Sequence, residues 1–338
     1  MIRLSIAKLA EGNDLTEEES TASVREILEG KATSAQIAAF MMGLRVKGEK
    51  IREILGGAKA MREMALSLKI NSESAVDTCG TGGDGANTFN ISTATAFVVA
   101  GAGIPVAKHG NKAVSSLCGS ADILTELGVN INISPDKVAR CVDEIGIGFL
   151  FAPLFHSAMQ FASGPRREIG IRTIFNLLGP LSNPARVKIQ VLGVYAAELT
   201  ETLANVLKEL GVERAFVVCG SDGLDEITIT GETKVSEVCR KEVKTYHVIP
   251  EEFGLKRGSI EELRGGDSFY NKEILIRILK GAKGSKRDIV LMNASVAIVG
   301  AGKAKDFKEG VVLAEESIDS GKAYKKLEEL IKYTNKVK

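Results

Sequence analysis

The stretch Asp77-Thr78-Cys79-Gly80-Thr81-Gly82-Gly83-Asp84-Gly85 decides how this chain is read. It closes a short apolar run at 75–79 with strand character and precedes a helical pattern at 92–101. Four glycines within six residues let backbone N–H groups converge on a ligand with no Cβ in the way. Phosphate or pyrophosphate is the natural occupant of such a junction. Gly80, Gly82 and Gly85 have the G-x-G-x-x-G spacing of a dinucleotide loop. That loop also needs an acidic residue about twenty positions on. Here the region is Ile104-Pro105-Val106-Ala107-Lys108-His109, which is basic. No Gly-Lys-Ser/Thr follows, so a Walker-type loop is excluded. A plain glycine-rich turn is the competing reading.

Working outward toward the C-terminus, apolar runs at 75–79, 104–108, 148–152, 189–195 and 215–219 alternate with helical patterns near 92–101, 119–127, 136–144, 155–163 and 198–210. This alternation predicts a mainly parallel sheet with helices on both faces. The segments 227–230 and 234–238 flank Gly231 and predict a local hairpin; helices are expected near 271–282, 288–299 and 307–332. Toward the N-terminus there is no strand signal. Thr16-Glu17-Glu18-Glu19 and Thr33-Ser34-Ala35-Gln36 are capping boxes. Ile37, Phe40, Met41 and Leu44 share one helical face, as do Ile51, Leu55, Ala58 and Met61. The expected fold class is therefore α/β: a small helical domain plus a larger α/β domain with a mainly parallel central sheet. The division is placed at 1–70 and 71–338, the helical domain being completed by the weakly periodic segment near 165–185, which reads as a crossover between the lobes.

A chain of 338 residues suits two domains at roughly 100–200 residues each. With 44% hydrophobic and 26% charged residues it can bury a sizeable core, which excludes disordered, collagenous and disulfide-scaffold classes. Lys+Arg 44 against Asp+Glu 43 gives a net charge of +1, which argues against nucleic acid as the main partner. Cys79, Cys118, Cys141, Cys219 and Cys239 are dispersed and read as reduced thiols of a cytoplasmic protein. Three histidines and no ligand cluster make a structural zinc site unexpected. Residues 1–11 lack a signal-peptide apolar region, and the longest apolar run, 96–107, is too short and glycine-broken to span a membrane.

Three further segments carry chemistry. Asn87-Thr88-Phe89-Asn90-Ile91-Ser92-Thr93-Ala94-Thr95 opens a helix with several cap-type residues, an arrangement suited to capping or to an anion. Lys108-His109-Gly110-Asn111-Lys112-Ala113-Val114-Ser115-Ser116 crowds two lysines, an amide and two hydroxyls into one strand–helix loop. In a parallel sheet both loops open where ligands bind. Gly220-Ser221-Asp222-Gly223-Leu224-Asp225-Glu226 offers adjacent carboxylates that could hold Mg²⁺ against a polyphosphate, or form an ordinary acidic turn. Arg166, after Ala152-Pro153-Leu154-Phe155-His156, reads as a carboxylate-binding or a surface arginine. His156 and His247 read as structural.

Taken together, these motifs resemble the anthranilate phosphoribosyltransferase family. The matching residues are 80–84, Asn90-Ile91-Ser92-Thr93, Lys108-His109-Gly110-Asn111 with Ser115-Ser116, Gly119-Ser120-Ala121-Asp122, Arg172-Thr173-Ile174-Phe175-Asn176-Leu177-Leu178-Gly179-Pro180, and Asp225-Glu226. The resemblance covers essentially the whole chain. It implies transfer of the 5-phosphoribosyl group from phosphoribosyl pyrophosphate (PRPP) to anthranilate, with Mg²⁺, in tryptophan biosynthesis. It also implies a homodimer formed through the helical domain. Gly80, Gly83, Asp84, Thr88, Asn90, Ile91, Ser92, Thr93, Lys108, His109, Gly110, Asn111, Lys112, Ala113, Val114, Ser115, Ser116 and Ser120 would line the PRPP site. Gly80, Asn111 and Arg166 would contact anthranilate; Ser92, Asp225 and Glu226 would hold the metal; Lys108 and Asp84 would be catalytic. Two positions depart from the family's pattern: Lys112 stands where Arg is usual, losing a planar fork, and Ser157 where Pro often follows the histidine. A pyrimidine nucleoside phosphorylase, which shares the fold, would use phosphate and a nucleobase. The intact loop 80–85 with Asp225-Glu226 favours the transferase. A nucleic-acid-binding relative would lose that loop and gain a basic surface.

Overall fold

The computed structural model describes residues 1–113 and 117–336. Four helices open the chain: α1 (Ile2–Ala10), α2 (Glu17–Leu28), α3 (Ser34–Lys47) and α4 (Ile51–Met64). The α/β part follows as β1 (Val76–Gly80), α5 (Ile91–Gly101), β2 (Val106–Gly110), α6 (Ser120–Glu126), α7 (Pro135–Arg140) and β3 (Ile147–Phe151). Then come α8 (Ala152–Phe155), α9 (Gln160–Ile169), α10 (Ile174–Leu178), β4 (Ile189–Gly193), α11 (Leu199–Glu209), β5 (Arg214–Gly220), β6 (Thr233–Cys239) and β7 (Glu242–Val248). The chain ends in α12 (Ser268–Leu279), α13 (Ser285–Gly300), α14 (Phe307–Asp319) and α15 (Lys322–Asn335).

Both capping boxes form as the sequence requires. The Glu19 N–H donates to Thr16 Oγ1 at 3.2 Å while the Thr16 N–H donates to Glu19 Oε2 at 2.7 Å. Thr33 and Gln36 do the same at the start of α3. Ile37, Phe40, Met41 and Leu44 are fully buried, and so are Leu55, Ala58 and Met61. Ile51 is not: it sits on the first turn of α4, exposed, and Ile54 takes the inward place.

One sheet of seven strands runs β3-β2-β1-β4-β5-β6-β7. The pairs from β3 to β5 are parallel and the last two antiparallel. Helices α5 and α12–α15 cover one face, packing on Val76, Val106, Phe149 and Phe216. On the other face Leu192, Ala215 and Val217 join α11 and the first four helices in one apolar cluster. That cluster also takes Ile174, Phe175, Leu177, Leu178 and Leu181 from the 165–185 segment.

Three local expectations are corrected. The hairpin is β6–β7, not 227–230 with 234–238. Its tight turn is Arg240-Lys241, both at positive φ, the twist-matched geometry for a two-residue connection. Ile227 is pulled into the core because the Asn293 amide satisfies both its N–H and its carbonyl, acting as a strand partner. The helix expected at 307–332 breaks at Ser320-Gly321, where Gly321 takes φ +77°. The helix at 155–163 is displaced; its residues are shared between α8, a 3-10 turn and α9.

Candidate active site

Strands β1, β2 and β5 end on one edge of the sheet, and the loops 81–90, 111–119 and 221–232 follow them. The strand order reverses between β1 and β4, the position where open α/β sheets bind ligands.

The acidic loop is pressed onto the ends of β1 and β4. The Gly82 N–H donates to Asp225 Oδ2 at 2.7 Å. A Cβ on Gly80 would lie 2.3 Å from Asp225 Oδ2, and one on Gly193 would lie 1.5 Å from the Asp225 carbonyl oxygen. Only glycine allows that approach. Asp84 comes up against Asp225 from the glycine loop. Burial, then the Asp84 charge, pushes the Asp225 carboxyl up to about 7. Burial and the Asp225 charge push Glu226 well above the usual carboxylate range. Three carboxylates thus gather with too little positive charge among them, which leaves this corner of the site short of a cation.

Among the described residues, Lys108 is a cation within reach of the acidic pair. It is 4% exposed, on the α5 face of the sheet. Its ammonium donates to the Thr78 carbonyl and, at 3.2 Å, to Ser92 Oγ on the first turn of α5. Burial lowers its pKa, opposed chiefly by the charge of Asp77. The Ser92 backbone N–H faces Glu226. The structure therefore brings Gly80, Asp84, Ser92, Lys108, Asp225 and Glu226 into one place.

Asn90 stands at the N-cap position of α5 but does not cap it. Its Nδ2 donates to the Cys118 carbonyl at 3.0 Å and its Oδ1 accepts from Asn271 at 3.1 Å, tying the second loop and α12 to the first. Ile91 packs into the core behind the loop. The Thr93 hydroxyl is buried and has no partner among the described residues. Thr88 forms a bridge with Arg264, and Gly83 lies beneath the guanidinium of Arg172. In the second loop Ser120 Oγ donates to the Asn111 carbonyl, and Asp122 accepts from the N–H groups of Ala113 and Gly119. Gly110 leaves room for Ser120 and Phe149. Lys112 is exposed. Val114, Ser115 and Ser116 lie outside the described residues.

On the opposite face of the sheet, His109 and His156 are buried with ring centroids 5.1 Å apart. Burial holds them at about 3 and about 4, so both are neutral. Each keeps a buried Nε2 without a partner among the described residues. His247, read as structural, is exposed on β7, the edge strand. Arg166 on α9 is half-buried, 5.8 Å above the Phe175 ring, with its pKa lowered by burial. It forms no ion pair among the described residues.

Sequence reasoning gave no role to Asp77, Asp122, Arg172, Asn183 or Asn271. Asp77 carried a signal, since a carboxylate inside an otherwise apolar strand demands buried partners. Asn183 and Asn271 carried none, because the partners that tie them to the site, Ala107 and Asn90, are more than 75 residues away.

A glycine-rich loop at the C-terminal edge of a parallel sheet, next to a helical bundle, is the arrangement of a glycosyl transferase family with a helical and an α/β domain. Residues 4–65 match the family model described as "Glycosyl transferase family, helical bundle domain", and residues 72–324 match "Glycosyl transferase family, a/b domain". The anthranilate phosphoribosyltransferase of Acetivibrio thermocellus is 54% identical over 335 residues, covering 99% of this chain and 97% of its own. The crystal structure of the Thermus thermophilus enzyme of that name aligns with a TM-score of 0.94 at 42% identity, covering 98% and 99% of the two chains. The Saccharomyces cerevisiae enzyme, solved in complex with PRPP and Mg, aligns with a TM-score of 0.90 at 31% identity, covering 99% and 98%. The chain belongs to the anthranilate phosphoribosyltransferase family.

Proposed function

We propose that this chain transfers the 5-phosphoribosyl group from PRPP to the amine of anthranilate, giving N-(5-phosphoribosyl)anthranilate and pyrophosphate in tryptophan biosynthesis. One observation carries the reading: a buried lysine, Lys108, and the start of α5 meet a surplus of carboxylates at the end of a glycine loop. That is a cradle for a polyphosphate and its counter-cation. The residues fit Mg²⁺. No cage of three or more metal-binding side chains is preformed among the described residues, and Mg²⁺ is usually held by one or two carboxylates plus substrate phosphates. Ser92, Asp225 and Glu226 would hold it, where its charge would neutralise the departing pyrophosphate.

The chain's own groups would do the rest. The glycine loop 80–85 and the residues from Lys108 onward, with Thr88, Asn90–Thr93 and Ser120, would grip PRPP. Lys108, with Asp84 beside the acidic pair, stabilises charge as the C1–oxygen bond breaks toward an oxocarbenium-like state. The aromatic amine already has a usable lone pair, so positioning suffices and no strong base is needed. Arg166, desolvated and without a carboxylate partner among the described residues, suits the carboxylate of anthranilate, with Gly80 and Asn111 alongside. Ser157 is exposed at the start of a 3-10 turn, a place a proline also fills comfortably, so this departure leaves the local fold intact.

The same reading divides the chain at 1–70 and 71–338, with 165–185 completing the helical domain. In support, Ile174, Phe175 and Leu178 share a core with Ile27, Phe40 and Leu44. A homodimer through that domain is supported by Leu4 and Val46, 71% and 80% exposed on the neighbouring helices α1 and α3. A cytoplasmic location agrees with five free cysteines; among the described residues no helix is long and apolar enough to cross a membrane.

The test follows anthranilate fluorescence with purified protein, PRPP and Mg²⁺, omitting each in turn. Decay that needs all three is expected. A folded protein that binds PRPP yet leaves anthranilate untouched overturns the acceptor.

A further inference from the structure

The two seams beside β1 are built differently. Toward β4 the ladder is complete, from Val76↔Ile189 to Gly80↔Gly193. Toward β2 it holds one pair, Val76↔Val106, and then stops. The next rungs of a parallel ladder would join the Ala107 carbonyl to the Thr78 N–H and the Thr78 carbonyl to the His109 N–H. Side chains take three of these four groups instead. Asn183 Nδ2 donates to the Ala107 carbonyl at 2.9 Å, the His109 N–H donates to Asp77 Oδ1 at 3.1 Å, and Lys108 Nζ donates to the Thr78 carbonyl. Asn183 Nδ2 also donates to Asp77 Oδ2 at 2.8 Å, and its Oδ1 accepts from the Ala185 N–H at 2.9 Å, which fixes the amide's orientation. Asp77 and Asn183 are buried.

We propose that Asp77 and Asn183 are positioning residues for the transfer: a buried carboxylate–amide wedge that holds β1 and β2 apart at the site's edge and so aims Lys108 and His109. The wedge explains why a charged residue is kept inside a core strand. With the strands zipped, the Thr78 carbonyl would bond the His109 N–H and Lys108 would have to share one of its two anchors. With the strands parted and no wedge, two buried backbone groups would be orphaned. Asn183 belongs to the 165–185 segment, so the crossover that packs with the first helices also sets the spacing of the phosphate-binding strands. The inference rests on the transferase reading.

The test uses the full-length protein and the variants Asp77→Asn and Asn183→Ala. Asp77→Asn keeps the shape and one acceptor oxygen but turns an amide nitrogen toward Asn183 Nδ2. In each variant kcat should fall about ten- to hundredfold, the scale expected for small misplacements, with KM for both substrates within about threefold of wild type. The His109 amide should exchange with deuterium about tenfold faster in Asp77→Asn. The double variant should be no worse than the worse single one, since the pair acts as a unit. Wild-type kcat in folded variants overturns the inference, as does a change confined to KM or melting temperature. Should Asp77→Asn fail to fold, Asn183→Ala, which removes only the amide, carries the kinetic arm. Hydrogen exchange reads the wedge without turnover. An inactive wild type overturns the transferase reading and the kinetic role with it, whereas an active wild type with indifferent variants overturns the wedge alone.

Discussion

Two buried acidic sites in this molecule are finished to different degrees. In the helical bundle, Glu53 is wholly enclosed and every direction is answered. It accepts from the Leu15 N–H at 2.9 Å, the Lys50 N–H at 2.8 Å and Lys47 Nζ at 3.0 Å, and Lys47 reaches on to Asp14. At the sheet edge, Asp225 and Glu226 are drawn together with Asp84 and share only part of Lys108. The first carboxylate closes a structure; the second set is left short of positive charge, and a ligand's cation can supply it. Burial alone does not separate a structural acid from a functional one. Completeness of partnering does.

The comparison breaks if charge at the sheet edge proves structural. Lys108→Ala should lower kcat about a thousandfold, at the upper end for loss of one preorganised charge. Its melting temperature should stay within a few degrees of wild type, because a desolvated ammonium is removed along with its benefits. Unchanged kcat takes Lys108 out of the mechanism; collapse of the fold makes it a second Glu53. The converse substitution sharpens the contrast. Glu53→Ala leaves two N–H groups without their acceptor and Lys47 with Asp14 as its remaining carboxylate, and should cost about 3 kcal/mol of stability by urea unfolding. Turnover per folded molecule should stay at wild type, and a fall in kcat matching that at Lys108 erases the distinction.

Local chemistry explains what was legible in the sequence. The glycine loop, the capping boxes and Asp225-Glu226 act through neighbours in the chain, or through features that one segment cannot hide. The alternation of strand and helix gave the parallel sheet because each period reports a local face. What escaped depends on pairs brought together by the fold. The 227–230 strand was lost to Asn293, which lies 66 residues away and mimics a ladder. The true turn at Arg240-Lys241 lacks the glycine or asparagine that marks positive φ. Asp77 was visible as an anomaly, but its answer, Asn183, lies 106 residues on. Arg172 sat within a quoted motif, yet its place over Gly83 exists only once the crossover folds back.

The smallest effect concerns a third kind of buried group. His109 and His156 are 7% and 6% exposed, each facing a backbone carbonyl, of Gly179 and Ser182, while its Nε2 lacks a partner among the described residues. Burial lowers both pKa values, to about 3 and about 4, and for His109 the neighbouring His156 ring adds to the lowering. In the unfolded chain both titrate near about 6.5. Between that value and the folded ones the unfolded state binds more protons. Their stabilising contribution is therefore complete above about pH 6.5 and is lost as pH falls, by about 1 kcal/mol per histidine per pH unit. Asp225 works the other way: its raised pKa lets the folded state hold a proton between about 4 and about 7, which favours folding at the acid end of that window. The histidine term is isolated by comparing wild type with His156→Phe in urea unfolding at about pH 7.5, 6.5 and 5.5. The variant should lose about 1 kcal/mol less between the last two points. Equal slopes would mean that His156 takes up its proton as readily in the folded protein as in the unfolded chain, so that burial does not disfavour its charge.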